Sequence, residues 1–304
     1  MRIYVIIILT AFAFHVNAQV GYQANHYMFN QQLINPASAG KDFKVKTGLL
    51  LNSQLTGINS SPKLGALHFS SPIGLSKGSL GFNATSFTFG VQSNTEVTAM
   101  YAYRLSFKKS TLVFGMQGTA VNVSTNNNKL TTGSEGDDRF KAPISGFGYN
   151  GGIGAYFNTK NTYISISAPA WFKQSSVING DLNTDLGLSE MPIFLSVGHE
   201  QQVSNNWWFN SYILTRMHKN GNNQMDINLM ASYQNKIWFG PYYKTGAQYG
   251  LMMGAKLNKI VQFSYAGGVS QQARAGFLGS SHEVSLLFTI KDKKINTINS
   301  LRFF

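Results

Sequence analysis

Residues 97–107 read VTAMYAYRLSF, and their alternation decides the fold. One face carries Val97, Ala99, Tyr101, Tyr103, Leu105 and Phe107, and the other carries Thr98, Met100, Ala102, Arg104 and Ser106. Successive side chains of a strand point to opposite faces, so a period of two describes a ribbon with two unlike surfaces. The pattern recurs. In 226–234, Ile227, Leu229, Ala231 and Tyr233 alternate with Asp226, Asn228, Met230, Ser232 and Gln234. In 249–257, Tyr249, Leu251, Met253, Ala255 and Leu257 alternate with Gly250, Met252, Gly254 and Lys256. In 283–290, Val284, Leu286, Phe288 and Ile290 alternate with Glu283, Ser285, Leu287 and Thr289.

A soluble sandwich also alternates, so the loops must choose between it and a membrane barrel. Fourteen strands are expected, at about 44–54, 62–72, 79–90, 95–107, 111–123, 147–157, 162–170, 191–201, 207–216, 225–234, 237–244, 247–257, 260–271 and 281–291. Short polar turns such as Ser76-Lys77-Gly78, Lys108-Lys109-Ser110 and Asn235-Lys236 follow the even strands. The long connections, 125–145 and 171–189, follow odd ones. Short periplasmic turns and longer external loops mark an outer-membrane barrel with its N-terminus in the periplasm. A sandwich has no reason to segregate loop lengths. The fold class expected is therefore all-β, a transmembrane outer-membrane β-barrel of about 14 antiparallel strands.

Composition agrees. Only 12% of residues are charged, against about 25% in an ordinary soluble domain, while 13% are aromatic and 30 are glycine. Mean hydropathy is slightly negative, which excludes a polytopic helical membrane protein. A barrel with an apolar belt and a polar interior fits both facts. Trp207-Trp208 and Trp238, each close to a short turn, are read as an interfacial aromatic belt. There is no cysteine, hence no disulfide and no thiolate metal site.

Lys and Arg number 25 against 12 Asp and Glu, a balance that suits anionic lipid headgroups or an acidic partner. The leader removes nucleic acid from that choice. Arg2, the apolar run 3–14 and Val16-Asn17-Ala18 form a secretory signal peptide cleaved after Ala18. The chain then divides into 1–18, signal peptide; 19–43, a periplasmic or lumen-plugging segment; 44–291, the barrel; and 292–304, a basic tail. The tail ends Arg302-Phe303-Phe304, either a barrel-assembly signal or a docked end.

Candidate chemistry is sparse. The histidines lack metal-ligand spacing, and neither a metal nor a cofactor is expected. His282 and Glu283 lie beside Ser280 and Ser281, but adjacent strand residues face opposite ways, so a hydrolase site built on that pair is disfavoured. They are read as an interior or rim polar pair, and the protein as not an enzyme. Glu135, Asp137, Asp138 and Arg139 fall in the expected external loop 125–145, a candidate surface for a partner. Gly151-Gly152-Ile153-Gly154 is not followed by a Lys-Ser/Thr pair or a helix, so it is no phosphate loop; its glycines either make room on an inner wall or relieve curvature. Arg104, Lys256 and Arg216 fall on or near polar faces and either make the lumen basic or form interior salt bridges.

One stretch is neither strand nor helix. Residues 27–40, YMFNQQLINPASAG, are broken by Asn35-Pro36, because proline lacks an N–H and restricts its predecessor. Phe29, Leu33 and Ile34 demand cover, so Tyr27, Met28, Phe29, Asn30, Leu33, Ile34, Asn35 and Pro36 are expected to plug or line the lumen. This wording, the late phrase Gly279-Ser280-Ser281-His282-Glu283-Val284-Ser285-Leu286 and the Arg-Phe-Phe ending together resemble the PorP/SprF family of type IX secretion and gliding-motility proteins. The resemblance implies a non-enzymatic outer-membrane component in a Bacteroidetes-like Gram-negative cell. It would assist secretion or surface anchoring of a partner such as a large adhesin, alongside other secretion-system components and outer-membrane lipid. The alternative is a channel or transporter for small or hydrophobic solutes.

Overall fold

The computed structural model describes residues 24–73, 77–126, 144–171, 173–178, 181–185, 192–218, 223–246, 248–270 and 279–291. Two short 3-10 turns, Gln31–Leu33 and Pro36–Gly40, precede the first strand. The first seven strands are β1 (Lys44–Thr56), β2 (Lys63–Pro72), β3 (Gly78–Phe89), β4 (Gln92–Ser106), β5 (Ser110–Thr125), β6 (Ile144–Thr159) and β7 (Thr162–Ala168). Next come β8 (Lys173–Ile178), β9 (Asp181–Asp185), β10 (Ile193–Gln202), β11 (Trp207–Met217) and β12 (Gln224–Tyr233). The chain continues through β13 (Ile237–Lys244), β14 (Gln248–Lys256), β15 (Val261–Ser270) and β16 (Ser280–Lys291).

Fourteen of these form the wall. Each pairs antiparallel with its neighbour in sequence, β7 passes directly to β10, and β16 returns to β1, closing the barrel. Every wall strand matches its expected range to within three residues. Alternation gives strand limits well here because each strand has one face in lipid and the other in the interior, so a slipped register would invert both.

Two expectations about the loops and tryptophans are corrected. Six connections at one end are short: 73–77, 107–109, 160–161, 203–206, 234–236 and 257–260. The other end holds the long ones, 126–143, 169–192 and 271–279, but also 90–91 and 245–247, which are as tight as any. Segregation is therefore one-sided. The connection 169–192 also contains β8 and β9, which pair with each other and touch the wall through the bridge between Phe147 and Asp181. Of the three tryptophans read as a belt, Trp207 faces outward, whereas Trp208 and Trp238 are buried inside. The reason is parity. Trp208 must oppose Trp207, and Trp238 lies over Gly254, where any Cβ would collide with its indole ring.

The outer face carries Leu49, Leu51, Leu67, Phe69, Leu80 and Phe82, all exposed, as a lipid-facing belt requires. The inner face carries aromatic rings laid over glycines. Tyr163 and Tyr212 flank Gly198, with ring centroids 6.3 Å apart, and Tyr156 stacks on Tyr163 at 5.2 Å. These rings narrow the bore that fourteen strands would otherwise leave. Eight strands can be filled by wall side chains, while 16–18 leave a channel, so this interior needs further filling.

Candidate functional site in the lumen

That filling is the chain from Ala24 to Asp42. Tyr27, Met28, Phe29, Asn30, Ile34, Asn35 and Pro36 are buried inside the barrel, and Leu33 is half-buried against Leu50, Leu64 and Ala66. Local chemistry shapes the segment. Asn35 is extended, as the residue before a proline must be, and its side chain accepts from the Ala37 N–H at 2.9 Å while Pro36 opens the second turn. The segment runs the length of the lumen. Asp42 sits beside Lys44 at the short-turn end, whereas Ala24 accepts from Lys244 Nζ at 3.2 Å beside the 245–247 connection at the other.

Three sets of polar contacts hold it. The first is centred on Glu283, fully buried on β16. Its carboxylate accepts from the backbone N–H of Asn25 at 2.8 Å, the backbone N–H of His26 at 2.7 Å and Asn52 Nδ2 at 2.6 Å, and pairs with His26 Nδ1 at 2.7 Å. Nearby, Asn30 Nδ2 donates to Ser285 Oγ at 3.2 Å, and Asn30 Oδ1 meets His68 Nε2 at 3.0 Å.

The second set reaches the wall's own backbone. Gln32 Nε2 donates to the carbonyls of Phe69 at 2.8 Å and Phe82 at 3.1 Å, which are directly opposed on β2 and β3. Asn35 Nδ2 does the same to Ala155 at 3.1 Å and Ile166 at 3.3 Å, opposed on β6 and β7. Side-chain amides can reach main-chain carbonyls only where the wall is bare. Gly154 supplies that space for Asn35, since a Cβ there would overlap the Asn35 amide, and Gly115 does so for the backbone of Pro36 and Ala37.

The third set is ionic. Lys46 Nζ bonds Asp42 Oδ2 at 2.5 Å and Lys44 stands 3.9 Å away. Burial alone would raise the Asp42 pKa, but the ammonium groups of Lys46, Lys44 and Lys41 outweigh it and hold the carboxyl at about 2, against an ordinary 3.8. Burial pushes Lys41 well below its ordinary value, reinforced by Lys46 and opposed by Asp42. Because the folded pKa of Asp42 is depressed, its contribution to stability is complete above pH 3.8 and is lost as pH falls toward 2. Urea unfolding of the wild type should show that acid-limb loss, and Asp42→Asn should flatten it; identical limbs for the two proteins would refute the assignment.

The remaining sequence candidates are placed as follows. The expected His282–Glu283 pair is separated: Glu283 points into the lumen and His282 outward, as the alternation of β16 dictates. Arg104 lies buried inside with its guanidinium 4.9 Å above the Phe43 ring, and Arg216 lies 5.0 Å above Phe194. Lys244 pairs with Asp226 at 3.3 Å, so the interior carries bridged charges beside its basic excess. Glu135, Asp137, Asp138 and Arg139 lie outside the described residues. Among the described residues no group of three His, Asp or Glu side chains is arranged to hold a metal. Sequence reasoning missed Asn25, His26, Gln32, Lys41 and Asn52. The signal available for Asn52 was inner-face parity on β1, which it shares with Lys44, Lys46, Gly48 and Leu50.

A closed antiparallel barrel with an apolar outer belt and an interior occupied by its own N-terminal region is an outer-membrane β-barrel protein. Residues 16–288 match the model of the type IX secretion system membrane protein PorP/SprF, and the chain belongs to that family. A comparison with curated protein sequences gave no match. Among solved structures, the chain resembles the toluene transporter TodX of Pseudomonas putida at 12% identity, over 89% of this chain and 94% of that one, with a TM-score of 0.46. It resembles Omp33 of Acinetobacter baumannii at 6% identity, over 82% and 99%, with a TM-score of 0.46. It also resembles outer membrane phospholipase A of Escherichia coli at 11% identity, over 80% and 92%, with a TM-score of 0.41. Likeness at these scores carries nothing about activity.

Proposed function

We propose that this barrel is a closed-lumen outer-membrane component of type IX secretion that assists export or surface anchoring of a partner protein, such as a large adhesin. Family membership supports the secretion setting. The observation that carries the closed state is the burial of the segment from Ala24 to Asp42, tied to the wall at both ends. On this reading the external connections 125–145 and 171–189, with Glu135, Asp137, Asp138 and Arg139, meet the partner. The leader is removed near Ala18, and the cell is a Bacteroidetes-like Gram-negative.

Deleting the gene and comparing surface proteins tests the export role. At least one large exported protein should be lost from the surface, and its co-purification with the barrel would identify it. Unchanged export and retention of every surface protein would overturn the reading.

A second reading, a solute channel, is favoured by one feature: the fourteen-strand bore is filled by the N-terminal segment rather than by the wall alone. Planar-bilayer recording separates the two. The full-length protein should be silent, and removing residues 24–40 should produce stepwise conductance. A wild-type protein that conducts on its own would favour transport, and silence after the deletion would refute the plug.

A further inference from the structure

His282 was separated from Glu283 by the fold, but the same alternation joins it to Ser280, two residues earlier on the outward side of β16. Ser280 Oγ lies 3.3 Å from His282 Nε2, and His282 Nδ1 lies 2.6 Å from the hydroxyl of Tyr265 on β15. Thr56 on β1 adds a hydroxyl against Ser280 Oγ and donates to the Ser280 carbonyl at 3.1 Å. A hydroxyl nucleophile, an imidazole base and a third group fixing the ring form the arrangement that activates serine. With Nδ1–H donated to Tyr265, the assigned tautomer leaves Nε2 free to accept the serine proton. The Ser–His distance is at the loose end, as is common without substrate.

Location gives the arrangement a substrate class. On three adjacent strands the outward residues change at one register, from Lys63, Ser53 and His282 to Gly65, Leu51 and Val284, then to Leu67, Leu49 and Leu286. The polar trio therefore stands at the edge of the apolar belt, on the side of the long loops. Ester groups of membrane lipids lie at that depth, between hydrocarbon and headgroups. Exposed Lys63, two strands or about 10 Å from His282, offers an ammonium to an anionic headgroup.

We propose that Ser280, His282 and Tyr265 form an acyl-ester hydrolase site that acts on lipid of the outer leaflet. Ser280 Oγ attacks the ester carbonyl while His282 Nε2 takes its proton. The C–O bond to the lipid alcohol breaks, and His282 returns the proton to that leaving alkoxide. Water, deprotonated by the same nitrogen, then cleaves the acyl-serine to free fatty acid. Tyr265 is a positioning residue that holds the imidazole. The proposal is independent of the export reading.

The test uses the full-length protein in vesicles of phospholipid with labelled acyl chains, together with a fluorophosphonate probe. The wild type should release labelled fatty acid and carry the probe on Ser280. Ser280→Ala and His282→Ala should each lower release by about 10²–10⁴-fold. Tyr265→Phe should lower it less and move the pH profile of the rate. Ser281→Ala, whose side chain faces the lumen, should leave release unchanged. Because the probe reports on the unaltered protein, misfolding of a variant cannot mask the answer. A wild type that neither releases fatty acid above Ser280→Ala nor labels at Ser280 would overturn the proposal.

Discussion

Replacing Glu283 by alanine should loosen the luminal segment and cost about 3–5 kcal/mol of unfolding free energy, the order of penalty that follows when the partners of a buried charge are left uncompensated. Four donors converge on this carboxylate, and two of them are backbone N–H groups of Asn25 and His26 with no alternative acceptor supplied by the mutation. The remaining groups are buried, so they lose a charge-assisted bond without gaining bulk water. Glu283→Gln keeps the shape but puts an amide nitrogen among donors, and should cost about half as much. Urea unfolding followed by tryptophan fluorescence reads both, since Trp238 lies 5.3 Å from the Phe29 ring of the same segment. In bilayers the alanine variant should show intermittent openings. Wild-type stability and silence in that variant would mean that Glu283 does not hold the segment.

Valine at Gly115 should act from the opposite side, by volume rather than charge. A Cβ at that position overlaps the backbone nitrogen of Ala37 and the carbonyl carbon of Pro36, neither of which can turn away as a side chain might. The segment must therefore move or the strand must bend, and overpacking of this kind costs about 1–3 kcal/mol. Because β5 is paired on both edges, the segment should give way first. Protease sensitivity within residues 24–40 should rise while the wall remains folded. Gly118→Val on the outward face of the same strand, where nothing approaches, is the matched control. Equal behaviour of the two variants would exclude the steric account.

The wall was legible because two signals of different origin agree: alternation fixes each strand, and turn chemistry fixes where strands end. The segment 27–40 was legible as something needing cover, through Phe29 and Ile34 beside a proline break. Its anchors were not. Nothing in local sequence ties His26 to Glu283, 257 residues away, or sends Gln32 to carbonyls on β2 and β3. Trp208 and Trp238 show the opposite failure, since proximity to a turn suggested the membrane interface while strand parity sent both rings inward.

What the sequence determined by itself was therefore the closed sheet: strand number, limits, order and the two faces, all set by period-two patterning and by backbone bonds between neighbours in the chain. Only the tertiary structure decided what fills it. Closing the sheet brings β16 against β1 and sets Glu283 beside Asn52, and the N-terminal segment then threads between walls far apart in sequence. His282 did not need that closure: parity on β16 and its sequence neighbour β15 take it from Glu283 and give it to Ser280 and Tyr265. Contacts within a strand or across a turn follow from local chemistry; contacts across the lumen exist only once the circle is complete.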